Sequence, residues 1–79
     1  LAKGIHDKRY LRVVEALKAE REQLGLSQIA LGIRLGHRQQ FVSKYEAGER
    51  RLDFIELVDV AVALDLNWKT LVEGSLSEA

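Results

Sequence analysis

Seventy-nine residues give room for one small domain, which at this size hides only roughly 60% of its unfolded surface. Twelve basic and twelve acidic residues cancel, which argues against a surface that binds polyanions everywhere. With no Cys, disulfides and thiolate metal sites are excluded, His6 and His37 are the sole histidines and lie far apart without ligand spacing, and no apolar run approaches the ~18 residues of a membrane span.

Taken in chain order, the apolar pattern predicts five helices. Leu11, Val14, Leu17 and Leu24 form a helical stripe with Lys, Arg and Glu between them. Gly25 is a stop for that helix, and Ser27 is a natural N-cap for the next, because its hydroxyl accepts from an orphan backbone N–H. The second helix is short and ends at Gly36. A third starts near His37 or Arg38 and runs to about Ala47, closed by Gly48. Asp53 followed by Glu56 resembles a capping box that opens a fourth helix, with Phe54, Leu57, Val58, Ala61 and Leu64 expected on its inner face. Asn67 caps a last helix carrying Trp68, Leu71 and Val72. Short loops and no strand pattern give a compact all-α domain over 1–79.

Charge is unevenly spread. Residues 34–51 carry Arg34, Arg38, Lys44, Arg50 and Arg51 against Glu46 and Glu49, a local balance of +3. Residues 52–79 carry Lys69 against Asp53, Glu56, Asp59, Asp65, Glu73 and Glu78, a balance of −5. A basic middle and an acidic tail can orient a nucleic acid toward one face. The two short helices either side of Gly36 have helix-turn-helix spacing. At ~100° per residue, Val42 and Tyr45 turn inward while Gln40 and Lys44 turn outward.

In register and without gaps, Arg21, Gly25-Leu26-Ser27-Gln28, Leu31, Leu35-Gly36, Val42-Ser43, Glu46, Gly48, Leu57, Ala61, Leu64 and Leu71 resemble the phage-repressor (Cro- and cI-like, xenobiotic-response-element) helix-turn-helix family. The resemblance runs from Leu17 to Leu71. It leaves 1–10 as an N-terminal extension and 75–79 as a tail. It implies a five-helix, lambda-repressor-like fold and a sequence-specific DNA-binding regulator, a repressor on a two-fold operator bound as a homodimer. Arg38, Gln39, Gln40 and Lys44 match base-contacting positions. Gln can pair with adenine, and Lys or Arg with guanine. Ser27, Gln28, Ser43, Arg50 and Arg51 are expected at phosphates, the first two at a helix N-terminus with free N–H groups. Arg21 and Glu46 match an ion pair between the first and third helices. Trp68 and the tail match a dimer surface, with packing inside the domain as the alternative. Four positions depart from the family pattern: Gly32 for Ala, Arg38 for a Ser or Thr cap, Leu52 for Pro, and the acidic Glu49 in a usually basic loop.

Without the resemblance, Arg38, Gln39, Gln40 and Lys44 read as an ordinary solvated face. His37 reads as a packed histidine before a DNA contact. Ile29 and Ile33 sit opposite Leu31 and Leu35 on the second helix, at positions commonly polar in the family. They are expected to touch the N-terminal extension through Ile5 and Tyr10, or a partner chain. That pair supports a second class, a protein-interaction module of the same fold, antitoxin- or adaptor-like. No nucleophile set, phosphate-binding Gly loop or metal spacing supports an enzyme, and no cofactor is expected. A cytoplasmic protein is the default. The start at Leu1 without Met is compatible with an additional domain outside this chain.

Overall fold

The computed structural model describes residues 7–77. Five helices follow in order: α1 (Lys8–Gln23), α2 (Gln28–Leu35), α3 (Gln39–Glu46), α4 (Phe54–Ala63) and α5 (Trp68–Leu76). Each start has a chemical cause where a side chain is available. The Asp7 carboxylate accepts from Arg9 N, the Ser27 hydroxyl from Ala30 N, and the Asn67 amide oxygen from Thr70 N. At α4 the capping box is complete, with Asp53 accepting from Glu56 N at 2.7 Å and Glu56 accepting from Asp53 N at 3.0 Å. Arg38 occupies the cap position of α3 and offers no side-chain acceptor.

The core draws its buried residues from α1, α2, α3 and α4, with Leu71 of α5 packed against them. Val13, Val14 and Leu17 of α1, Leu31 of α2, Phe41, Val42 and Tyr45 of α3, and Val60 and Leu64 at α4 are buried. α2 packs on α3 and α4, and α1 packs on α5 and α3. Burying one such Leu or Val fully stabilises by about 1.5–3 kcal/mol, so two short helices become stable only inside this set.

Three residues expected inside are not. Leu11 is 40% exposed, because it lies about 110° around α1 from the centre of the buried stripe. Leu24 is 45% exposed, since it is the C-cap, where the chain already turns away. Phe54 is 58% exposed. It is the first residue of α4 and lies beyond the core edge, so its ring meets Trp68 edge-on at 5.3 Å instead. Val13, Val60 and Arg21 take the inner positions that these three do not fill.

The turn between α2 and α3 is tight. Gly36 adopts φ 70°, and the His37 N–H closes the turn onto the Gly32 carbonyl at 2.9 Å. A Cβ on Gly32 would come within 3.1 Å of the His37 carbonyl oxygen. Glycine therefore suits this crossing, despite costing about 1 kcal/mol in a helix interior.

Leu52 also has a positive role. It is buried, and its backbone N–H donates to the Tyr10 hydroxyl at 2.9 Å. Proline at this position would have no N–H to give. The bond ties the first turn of α1 to the loop that precedes α4. Arg12 Nε donates to the Ser75 carbonyl at 2.9 Å and ties the same helix to α5.

The Tyr45 hydroxyl is the exception to this satisfaction. It is fully buried and has no hydrogen-bond partner among the described residues, and burial pushes its pKa up. A lone buried hydroxyl costs about 1–3 kcal/mol. Tyr45→Phe is therefore expected to leave stability unchanged or raise it by about 1 kcal/mol in urea denaturation. A loss of more than about 1 kcal/mol would show that the hydroxyl has a partner.

Candidate nucleic-acid interface

α3 is fixed first by charge. Arg21 of α1 donates through Nε to Glu46 Oε2 at 2.7 Å and through Nη2 to Glu46 Oε1 at 3.0 Å. Its remaining Nη1 donates to the Leu26 carbonyl at 2.7 Å. The two side chains are only 9% and 3% exposed. A pair this buried is stable only when the fork geometry and the extra hydrogen bonds offset desolvation. Here they are all present.

The network continues to α2. Gln28 Nε2 donates to Glu46 Oε1 at 3.0 Å, and Gln39 Nε2 donates to Gln28 Oε1 at 3.4 Å. Gln28 thus links the ion pair to the first residue of α3. The Ser27 hydroxyl is already an acceptor in its own cap, which leaves its O–H free to donate.

The outer side of α3 is polar. Arg38, Gln39, Gln40 and Lys44 are all exposed, while Val42 and Tyr45 are buried beneath them. Arg38, Gln40 and Lys44 line one open cleft together with His37, Phe41 and Arg50. Gln39 belongs to the opposite edge, beside Gln28. Ser43 is half-buried, and its Oγ donates to the Gln40 carbonyl at 3.3 Å.

Arg50 and Arg51 behave differently from each other. The Arg50 guanidinium is forked onto Glu56 of α4 at 2.9 and 2.8 Å and lies 4.8 Å from the centre of the Phe41 ring. Arg51 is exposed and sits near the Tyr10 ring, at 5.8 Å. The Arg50 fork, helped by the Asp53 N–H, holds the Glu56 carboxyl down to about 2. The sequence pattern alone assigns Glu56 the role of a cap and assigns Phe41 none. The spacing of Arg50 and Glu56 across a turn held no signal for their pairing.

The remaining sequence-named residues lie apart from this cleft. Ile29 and Ile33 are 56% and 75% exposed, and Tyr10 does not cover them, since it packs against the core and bonds Leu52. Ile5 lies outside the described residues. Trp68 is half-buried against Phe54, with the Lys69 ammonium 5.8 Å from its ring. Among the described residues, no group of His, Cys, Asp or Glu could hold a metal ion, and no helix is long and apolar enough to cross a membrane.

A family model described as helix-turn-helix matches residues 17–71. The chain belongs to that helix-turn-helix family. In general terms, membership makes it a DNA-binding regulator. Among solved structures, it is similar to the restriction-modification controller protein C.AhdI from Aeromonas hydrophila, with 28% identity and a TM-score of 0.71 over 84% of this chain and 99% of that one. It also shares its fold with a hypothetical transcription factor, NHTF, from Neisseria, with 21% identity and a TM-score of 0.73 over 91% of this chain and 82% of that one. No curated protein matches the chain.

Two outcomes test this geometry. Glu46→Ala leaves the buried Arg21 charge with only the exposed Glu22 carboxylate, at 3.8 Å, and is expected to cost about 3–5 kcal/mol, enough to unfold much of a domain this small at 37 °C. Replacing both partners, Arg21→Met with Glu46→Leu, is expected to recover most of that loss in the same urea titration. The second outcome concerns acid. The Glu56 pKa is lowered from 4.5 to about 2, so its contribution is complete above the unfolded value and is lost as pH falls through the folded one. Glu56→Gln should remove that part of the acid limb between about pH 4.5 and 2 in a pH series of thermal melts.

Proposed function

We propose that the protein is a sequence-specific transcriptional regulator, a repressor, that lays α3 in the DNA major groove. The observation that carries this reading is the convergence of Arg38, Gln40 and Lys44 on one exposed cleft of α3, while the other side of the same helix is pinned by Arg21–Glu46. A rigid helix with outward Gln, Arg and Lys can place bidentate donors and acceptors on base edges. Gln39 and Gln40 read adenine, and Arg38 and Lys44 read guanine or a nearby phosphate. Ser27 and Gln28 at the α2 N-terminus, with Ser43, Arg50 and Arg51, contact the backbone and set the register. The likeness to C.AhdI, a restriction-modification controller, supports regulation over other uses of the fold.

The reading includes a homodimer. Phe54 and Ile55 are 58% and 63% exposed on the first turn of α4, beside Trp68. An aromatic and aliphatic patch of this kind suits a self-complementary contact. Two α3 helices then meet half-sites about 34 Å apart.

A second reading has one specific observation behind it, the exposed Ile29 and Ile33 of α2. In that reading the domain binds a protein partner through this pair. Ile29→Ser with Ile33→Ser leaves DNA affinity unchanged if the regulator reading holds and abolishes partner capture if the interaction reading holds.

Selection of bound duplexes from a random pool is expected to give a motif with two half-sites. Gln40→Ala should blur one base position in each half-site, at a cost of about 1–3 kcal/mol for the preferred base. Log affinity should fall with log salt by about 0.9 for every phosphate neutralised. A pool with no motif, bound weakly even at low salt, contradicts the reading. Ile55→Ser should shift the monomer–dimer equilibrium toward monomer in sedimentation, with little change in melting temperature.

A further inference from the structure

Phe41 organises the cleft on α3. One face of its ring carries the His37 imidazole, stacked at 4.1 Å with 12° between the planes. The Arg50 guanidinium carbon lies 4.8 Å from the ring centre, and Tyr45 packs against Phe41 edge-on at 5.6 Å. Such stacking fixes a ring's orientation as well as burying its face. The backbone of His37 is fixed too, by its N–H on the Gly32 carbonyl and by the close passage of its own carbonyl over Gly32.

His37 is nevertheless exposed. Its two ring nitrogens make no hydrogen bond among the described residues, so the edge of the imidazole is open to the cleft. The charged groups around it are Arg38 and Lys44 at α3, Arg50 from the following loop, and Glu56 from α4. No charged group of α2 lines the cleft. The one carboxylate is already occupied by the Arg50 fork and the Asp53 N–H. An oriented N–H donor among cations, with the nearby anion engaged elsewhere, is a seat for an anionic oxygen.

We propose that His37 is a contact to a DNA backbone phosphate, with Phe41 as the platform that aims its ring. The inference rests on the DNA-binding reading and adds a residue that reading does not contain. The contact is sequence-independent, because phosphate carries no base information. The imidazole N–H donates to a phosphate oxygen, a bond that the charge of the acceptor strengthens.

The test is a fluorescence-anisotropy titration of the full chain with its selected duplex. His37→Phe keeps the stack and removes the donor. It should weaken binding about five- to tenfold, by the same factor on duplexes of different sequence, and leave the melting temperature and selected motif unchanged. His37→Lys, which restores a donor, should bind at least as tightly as the unmodified protein. Should His37→Phe not fold, His37→Leu, which also lacks a donor, is expected to show the same loss. Unchanged affinity in whichever donor-free variant folds overturns the assignment of His37 while leaving the DNA-binding reading intact. Failure of the unmodified protein to bind any duplex at low salt overturns both.

Discussion

The structure depends on one buried ion pair. Arg21 and Glu46 join α1 to the end of α3, and both find partners in the interior: Arg21 donates to the carboxylate fork and to the Leu26 carbonyl, and Glu46 also accepts from the Gln28 amide. Such a pair adds little net stability, because desolvating both charges costs nearly what their attraction returns. Its effect is directional. Apolar contacts among Leu31, Val42 and Tyr45 would tolerate a small rotation of α3 about its axis. A bidentate fork 2.7 and 3.0 Å long does not. The outward residues of α3 thus have a fixed bearing before any ligand arrives.

The other attachments of α3 work from the opposite side. Arg50 bridges Phe41 and the first turn of α4, where the capping box already engages Glu56. Leu52 is fastened to Tyr10, so the loop between α3 and α4 is anchored to α1 as well. The α2–α3 turn is closed by His37 on Gly32. An eight-residue helix has too little surface to hold its own position. It is placed instead by contacts from α1, α2, the following loop and α4. This division suits a surface whose polar side chains must stay solvated on one side and ordered on the other.

The same network shows why charge counts along the chain mislead. Residues 34–51 look cationic in sequence, yet Glu46 is committed to Arg21 and Arg50 to Glu56, a residue from the acidic segment. Lys44 and Arg38 have no such partner among the described residues and stand at the cleft mouth. The electrostatic character of the face is set by which charges are paired, not by the local sum.

Much of the fold was legible in the sequence because its determinants are local. Ser27, Gly36, Gly48, the Asp53–Glu56 box and Asn67 act within one helical turn, so they mark helix ends without knowledge of the rest. The gap-free family pattern supplied the arrangement of the helices and the outward residues of α3. Arg21 and Glu46 became a pair only through that resemblance, since nothing local joins positions 25 residues apart. Tertiary packing alone decided the rest. It left Leu11, Leu24 and Phe54 in solvent, because burial depends on where a neighbouring helix ends as much as on helical phase. It gave the N–H of Leu52 a use, occupied Arg50 with Glu56, and laid His37 on Phe41. Each of these is a contact between elements whose relative position is encoded in no single stretch of chain.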